Sequence, residues 1–146
     1  MSGVADPDAC VFCAILRGAL PVSLVAEEDR VVAFMDINPI NPGHVLIIPR
    51  HHTPDLAGLV PDDGAVMFRL AQRVAAALRA SDLPCDGVNL FLADGELAGQ
   101  EVFHAHLHVI PRLADDGFFL DIAYGASPSR EDLDVVAAEL RSKLGE

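Results

Sequence analysis

The sequence predicts an α+β domain with a mainly antiparallel sheet, one long helix packed on that sheet and a second helix at the C-terminus. Two apolar segments, residues 22–26 and 31–35, flank a charged turn and predict a β-hairpin. Residues 62–78 and 129–144 carry apolar side chains at spacings of three and four residues, which indicates two amphipathic helices. Hairpin strands together with separate helices favour the α+β class.

The first half of the chain predicts a short helix and three strands, over residues 10–17, 22–26, 31–35 and 44–49. Gly18 is suited to end the helix, because helices commonly finish at a glycine. Residues 27–30 form the hairpin turn, and residues 36–43 are dense in Asn, Pro and Gly and predict a defined loop. The segment 44–49 is apolar after its first residue, which is typical of a central strand covered on both faces.

The second half begins with the long helix, for which Asp62 or Asp63 is the predicted N-cap. Its apolar stripe consists of Val66, Met67, Leu70, Val74, Ala77 and Leu78. A strand, a glycine-containing loop, another strand and a surface segment follow, over residues 88–93, 94–100, 104–110 and 115–125. The last helix is predicted to start between Ser127 and Ser129, with Asp132 three positions after Ser129 as in a capping box, and to run to Leu144.

Length and composition predict a single domain over residues 1–146, with residues 1–9 as a flexible polar leader. A hydrophobic content of 51% excludes wholesale disorder. The net charge of −12 argues against a nucleic-acid partner, which requires a basic patch. No apolar run approaches the ~18 residues of a membrane span, and the N-terminal residues lack the apolar core of a signal peptide. We therefore expect a cytoplasmic protein without a membrane partner.

The segment HAHLHVI, residues 104–110, alternates histidines with apolar residues and predicts a strand. On a strand His104, His106 and His108 share one face, roughly 6.5–7 Å apart from one to the next. Ala105 and Leu107 then line the opposite face. Three imidazoles make a poor apolar core, because each ring has a donor and an acceptor to satisfy. The pattern indicates a functional site.

The three cysteines, Cys10, Cys13 and Cys85, argue against a disulfide framework because their number is odd. Cys10 and Cys13 form a C-x-x-C pair, which is compatible with metal or redox chemistry. The same spacing also places two small residues toward one core on a short helix. All six histidines fall into two groups, His44, His51 and His52, and then His104, His106 and His108.

The residues 104–110 resemble the H-φ-H-φ-H-φ-φ motif of the histidine triad (HIT) family of nucleotide hydrolases and transferases. Upstream segments agree in order and spacing, namely CVFCAILRGALP, FMDINPINPGHVLIIPRHH and DGELAGQEVFHAHLHVIPR. The resemblance covers a core over residues 10–112 and leaves residues 113–146 as a C-terminal segment with its helix. It implies the compact α+β HIT fold, which usually forms a homodimer.

The resemblance implies that His106 is the nucleophile, forming a nucleotidyl-histidine intermediate that water hydrolyses. His108 and His44 would stabilise the charge of the phosphoryl group. The substrate would be a nucleotide small molecule, either a nucleoside phosphoramidate or a diadenosine polyphosphate. The chemistry needs no organic cofactor.

The remaining substrate contacts are also implied by the resemblance. Asp36 would grip the ribose hydroxyls, while Phe34 and Ile37 are candidate walls for the base or ordinary core residues. Gly99 and Gln100 could offer backbone N–H groups to the α-phosphate.

Two positions depart from the family pattern. Ala93 stands where many members have Asn, and Glu101 stands where many have Ser or Thr. A carboxylate at position 101 repels phosphates unless it is protonated, turned away or bonded to a cation. A cationic leaving group such as an amine is one such partner.

The resemblance further implies structural zinc, held by Cys10, Cys13, His52 and His104 without an open position. His51 is the alternative to His52 as the third ligand. The number of residues that separate each of them from His44 favours His52. The competing interpretation of the four residues is a metal-free buried cluster.

Two other functions compete with nucleotide hydrolysis by a covalent histidine. One is a metal-dependent hydrolase with His104, His106 and His108 as catalytic ligands. The other is a nucleotide-binding sensor without catalysis, for which the departures at Ala93 and Glu101 leave room.

Overall fold

A computed structural model describes residues 6–125 and 127–145 and confirms the α+β fold. Its five antiparallel strands are β1 (Leu24–Glu27), β2 (Val31–Met35), β3 (Val45–Pro49), β4 (Gly87–Phe91) and β5 (Leu107–Arg112). They lie in the order β1-β2-β3-β5-β4. The helices are α1 (Val11–Leu16), α2 (Pro61–Ala80) and α3 (Arg130–Leu144).

The predicted flexible leader falls partly outside this description. Residues 1–5 lie outside the described residues. Within the rest of the leader, Pro7–Ala9 form a 3-10 turn, and the side chain of Asp6 caps it by accepting a hydrogen bond from the Asp8 N–H.

The sheet separates two apolar cores because its side chains alternate between its faces. One core lies between the sheet and α2, and includes Val31, Ala33, Val45, Ile47 and Val109. The other lies under α1, and includes Val32, Phe34, Leu46 and Ile48. Every residue of β3 is buried, as expected for a central strand with both faces covered.

The N-terminus of α2 differs from the prediction, since neither Asp62 nor Asp63 is the N-cap. The cap residue is Val60, and Pro61 occupies the first helical position. Proline suits that position because its ring fixes φ near the helical value and it has no N–H to leave unpaired. Asp63 lies in the first turn instead, where its buried carboxylate accepts a hydrogen bond from Arg30 at 2.6 Å. In the predicted apolar stripe, Ala77 is exposed.

The histidine segment is a strand only from Leu107, so the predicted strand from His104 is wrong at its start. The ladder with β3 ends at the pair Ile47 and Leu107. Before that pair the chain follows another path, and the Ala105 N–H donates to the Thr53 carbonyl at 2.7 Å. Of the three histidines only His108 therefore lies within a strand, although Phe12 packs on both His104 and His106, and the rings of His106 and His108 are 4.9 Å apart.

The C-terminal helix α3 begins as predicted. Ser129 caps it, and Asp132 completes a capping box. Leu133, Val136, Leu140 and Leu144 are 42–76% exposed, and α3 has no buried residue.

Candidate functional site

A cavity of about 890 Å³ opens on the α1 side of the sheet. Its wall contains the ionisable side chains of Asp36, His44, Glu101, His106 and His108. His44 comes directly before β3, and His108 lies on β5, which pairs with it. The pairing of these two central strands therefore brings His44 and His108 together.

His106 is held with one nitrogen free. Its Nδ1 lies 2.7 Å from the main-chain carbonyl of His104, and a carbonyl can only accept, so Nδ1 carries the proton. Nε2 is left with its lone pair on a ring that lines the cavity. Burial lowers the pKa of His106, although the bond to the His104 carbonyl opposes that shift. The ring is thus neutral near pH 7 and can act as a nucleophile.

His44 and His108 form an ordered pair whose tautomers are fixed from the backbone. The Ile40 N–H donates to Nδ1 of His44 at 3.1 Å, so the proton of neutral His44 is on Nε2. That Nε2 lies 2.8 Å from Nδ1 of His108 and donates to it. His108 consequently carries its own proton on Nε2. Burial, together with His106 and His44, lowers the pKa of His108 to about 4.

Asp36 lies beside this pair, with Oδ2 3.5 Å from Nε2 of His44. Its other oxygen accepts a hydrogen bond from the Asn38 N–H at 2.8 Å. The carboxylate raises the pKa of His44, but burial has the larger effect and lowers it.

Phe34 and Ile37, the two residues predicted to contact the base, both line the cavity but differ in burial. Phe34 is buried in the core under α1, where its ring meets Phe12 edge-on at 5.5 Å. Ile37 is 90% exposed in the loop before β3. A planar base could therefore contact Phe34 only at the cavity wall, whereas Ile37 is free to cover it.

The loop before the histidine segment differs from its prediction. The N–H groups of Gly99 and Gln100 donate to the carbonyls of Glu96 and Gly95, at 2.9 and 3.1 Å, so neither is free for a phosphate in this conformation. The buried side chain of Gln100 instead holds the loop, accepting from Gly95 N–H and donating to the carbonyls of Pro54 and Val102. Glu101 follows directly and lines the cavity.

A second cluster lies beside the first and consists of Cys10, Cys13, His52 and His104. The Nδ1 atom of His104 is 3.5 and 3.6 Å from the two sulfurs of Cys10 and Cys13. The Nδ1 atom of His52 is 3.3 Å from the Cys13 sulfur and 3.2 Å from Nδ1 of His104. His51 is exposed and is not part of this cluster.

These distances fit a tetrahedral zinc ion. With bonds of about 2.3 Å to sulfur and about 2.0–2.1 Å to nitrogen, zinc separates S from N by about 3.6 Å and N from N by about 3.3 Å. Nε2 of His104 donates to the Pro49 carbonyl at 2.8 Å, which leaves the Nδ1 lone pair for a metal. Burial and the neighbouring Cys10 raise the pKa of Cys13 to about 11, so metal binding must displace a thiol proton.

The donor atoms of Asp36, His44 and His108 also lie within 4.8 Å of one another. The hydrogen bond from Ile40 nevertheless places a proton on Nε2 of His44, the atom that faces the group. A metal ligand needs a lone pair there, so the tautomer opposes a metal at this cluster. His104 faces the cysteines, and the three histidines of the motif do not converge on one ion.

Sequence reasoning missed Phe12, which joins the two clusters. Its ring lies edge-on to His106 at 5.1 Å and to His104 at 5.8 Å. The position between Cys10 and Cys13 in CVFC is the only sequence signal for this contact. The carbonyl of Pro49 and the N–H of Ile40 were missed as well, because main-chain partners leave no residue-type signature.

Comparison with known proteins finds a match to the HIT domain over residues 17–115. A HIT-like protein of Mycobacterium tuberculosis is 38% identical over 138 residues, covering 94% of each chain. The adenylylsulfatase HINT3 of Arabidopsis thaliana is 38% identical over 107 residues, which cover 73% of this chain and 54% of that protein.

Solved structures show the same similarity. A HIT family protein from Bacillus anthracis superposes with a TM-score of 0.87 at 35% identity, covering 93% of this chain and 97% of that one. A zinc-bound histidine triad family protein from Mycobacterium smegmatis has a TM-score of 0.72 at 39% identity, covering 94% and 99%. A histidine triad nucleotide-binding protein from Candida albicans has a TM-score of 0.81 at 28% identity, covering 94% and 98%.

Over residues 6–125 and 127–145, no helix is both long enough and apolar enough to cross a membrane.

Proposed function

The chain belongs to the HIT family, and we propose that it hydrolyses nucleotides at the α-phosphate through a covalent His106 intermediate. The substrate is a nucleoside phosphoramidate or a diadenosine polyphosphate. One observation carries the proposal, namely the 2.7 Å hydrogen bond from Nδ1 of His106 to the His104 carbonyl. That bond leaves the Nε2 lone pair of a neutral, buried ring as the reactive atom.

In the first step, Nε2 of His106 bonds to the α-phosphorus and the bond to the leaving group breaks. The leaving atom keeps that electron pair and takes a proton from solvent. The imidazole becomes cationic, and the His104 carbonyl stabilises it through the Nδ1 proton. In the second step, a water oxygen bonds to phosphorus, the P–Nε2 bond breaks, and the water releases one proton.

His108 presents its Nε2–H to a phosphate oxygen, since its Nδ1 accepts from His44. The pair does not pass protons in its neutral state. His44 could replace a proton lost by His108 only by becoming an imidazolate, because its Nδ1 already accepts from Ile40. Both residues therefore act by positioning a donor for the developing charge.

The nucleoside lies over the Asp36 side of the cavity in this proposal. The Asp36 carboxylate accepts hydrogen bonds from the ribose hydroxyls, and Phe34 and Ile37 border the base. Support comes from the Candida albicans relative, whose name describes nucleotide binding.

We further propose that Cys10, Cys13, His52 and His104 hold a structural zinc ion. The four interatomic distances fit a tetrahedral site, and four protein donors leave no position open for catalysis. The bound ion would crosslink α1 to the segment preceding β5, because Cys10 and Cys13 lie at α1 and His104 lies in that segment. The zinc-bound relative from Mycobacterium smegmatis supports this assignment.

The protein is proposed to act as a homodimer. The apolar residues Leu133, Val136, Leu140 and Leu144 share one face of α3 and are exposed in the single chain. A second copy is the occupant we propose for this face, because exposed apolar stripes of this length mark interaction surfaces.

The experiment that tests the proposed function offers adenosine 5′-phosphoramidate and diadenosine tetraphosphate separately and measures adenosine monophosphate by chromatography. The His106→Ala variant should lose activity by about 10³-fold or more, because the nucleophile is gone. The matched control is His51→Ala, which removes an exposed histidine outside both clusters. Full activity of the His106→Ala variant would contradict the proposal, and the absence of any product with the unaltered protein would favour a nucleotide-binding sensor.

A further inference from the structure

The cavity wall carries an unusual balance of charge for a phosphate-binding site. Asp36 and Glu101 contribute two carboxylates, while His44 and His108 each accept a hydrogen bond at Nδ1 and are therefore neutral. Of the residues that the structure describes, no lysine or arginine lines this cavity. A bound substrate therefore places its anionic α-phosphate among negative charges.

Glu101 follows an anchored residue and has no ion-pair partner among the described residues. The buried side chain of Gln100, with its three hydrogen bonds to the main chain, fixes the backbone next to it. Glu101 itself is exposed and forms no ion pair within residues 6–125 and 127–145. Glu101 and His106 line the same cavity, so the carboxylate faces the space that a bound leaving group would occupy.

Arg112 packs on Phe118, a residue of the cavity wall, but its charge is already neutralised by Asp116. Arg112 donates to both oxygens of Asp116, at 2.7 and 3.0 Å, and its guanidinium lies over the ring of Phe118. Arg112 also donates to Asn89 and to the Phe118 carbonyl. Glu101 is thus a carboxylate of the cavity wall without an ion-pair partner among the described residues, and it is available to a cationic group of the substrate.

We infer that the leaving group is an amine that carries a separate positive charge, and that Glu101 is the residue that selects it. This inference rests on the proposed function and decides between its two substrate classes. Asp36 is assigned to the ribose, and the nucleoside itself brings no cation, so the charge must reside on the leaving group. A polyphosphate leaving group would instead add negative charge beside Glu101.

The chemistry of this substrate is that of a nucleoside 5′-phosphoramidate of a diamine or a similar basic amine. Nε2 of His106 bonds to phosphorus and the P–N bond breaks, its electron pair remaining on the nitrogen, which takes one proton from solvent. The second, distal ammonium group neither forms nor loses a bond. It pairs with the Glu101 carboxylate in the Michaelis complex and offsets the repulsion of the α-phosphate.

The test uses three adenosine 5′-phosphoramidates of matched length, prepared from 4-aminobutylamine, butylamine and 4-aminobutyrate. Their leaving groups carry a distal positive charge, no charge and a distal negative charge. The value of kcat/KM should be highest for the cationic compound, by roughly fivefold over the neutral one, and lowest for the anionic compound. The preference should shrink as salt concentration rises, since exposed ion pairs are screened.

Variants at position 101 assign the preference to a single residue. Glu101→Gln should bring the three kcat/KM values close together, and Glu101→Lys should reverse their order. Glu96→Gln is the matched control, because it removes a carboxylate from the same loop outside the cavity wall and should keep the unaltered preference. Circular dichroism checks that each variant is folded.

The outcomes separate this inference from the proposed function. Turnover of all three compounds without a preference for the cationic one, or a preference that survives in Glu101→Gln, overturns the role of Glu101 and leaves the hydrolase intact. Faster turnover of diadenosine tetraphosphate than of the cationic compound overturns it too. If none of the three phosphoramidates is cleaved by the unaltered protein, the inference fails, and the proposed function fails with it when diadenosine tetraphosphate is not cleaved either.

Discussion

The carbonyl of His104 accepts a hydrogen bond from Nδ1 of His106 at 2.7 Å, while the ring of His104 faces the two cysteines. One residue thus contributes its main chain to the proposed nucleophile and its side chain to the proposed zinc site. Phe12 lies edge-on to both rings. The proposed metal site and the proposed nucleophile therefore both pack against Phe12 and both depend on the position of His104.

Zinc content should distinguish a structural metal from a catalytic one. We expect about one zinc ion per chain in the unaltered protein and in His106→Ala, because His106 is outside the proposed ligand set. Cys13→Ser should lose the metal and unfold at a lower temperature, since metal binding and folding are coupled. Metal analysis by mass spectrometry measures the content. Loss of zinc in His106→Ala would instead favour the metal-dependent hydrolase.

Stability should fall as the pH is lowered through the range from about 6.5 to about 4. The folded state depresses the pKa of His108 to about 4, whereas the unfolded chain binds the proton near its ordinary value of 6.5. The unfolded state therefore takes up protons first, and each such group costs up to about 3 kcal/mol by the end of this range. Urea unfolding at several pH values measures the slope.

The matched variant for this experiment is His108→Asn, which removes one titrating group. Its stability should depend less steeply on pH between 4 and 6.5. An identical slope in the two proteins would show that His108 is not held neutral by burial.

The side chain of Gln100 should matter for stability. Gln100→Leu keeps the size but leaves the carbonyls of Pro54 and Val102 and the N–H of Gly95 without a partner. We expect a loss of about 3 kcal/mol in the free energy of unfolding. Gln72→Leu, the same change at an exposed position of α2, is the control and should cost little. A similar small cost at both positions would refute the anchoring role.

The exposed apolar face of α3 should control the oligomeric state. Leu140→Glu places a charge in the middle of that face and should convert the proposed homodimer to a monomer, as measured by sedimentation equilibrium. Ser142→Glu adds the same charge on the other side of the helix and should leave the dimer intact. A monomeric unaltered protein, or a dimeric Leu140→Glu variant, would exclude this face as the contact.

Periodicity was sufficient to predict that the five strands exist, and the residue types Ser129 and Asp132 predicted the capping box of α3. The strand β2 runs over Val31–Met35 as predicted, since its apolar run is bounded by a turn and a loop. Helix α2 was predicted from its stripe, but its start was not. The propensity of Asp for the cap position competes with that of Pro61 for the first helical position, and the proline determined the boundary.

The histidine segment shows why alternation alone can mislead. Residues 104–110 alternate throughout, yet the ladder between β5 and β3 stops at Leu107 although β3 continues to Pro49, and the Ala105 N–H donates to Thr53 instead. His104 consequently turns toward Cys10 and Cys13 while His108 faces His44. The partners that fix the tautomers, namely Ile40, Pro49 and the His104 backbone, are main-chain atoms. Only three-dimensional geometry reveals them.

The most direct measurement is the intact mass of the protein within seconds of mixing with an adenosine phosphoramidate. The account predicts a transient gain of one adenylyl group, located at His106 by fragmentation and absent in His106→Ala. An adenylyl group on any other residue, or unimpaired turnover by His106→Ala, would contradict the central claim that Nε2 of His106 is the nucleophile.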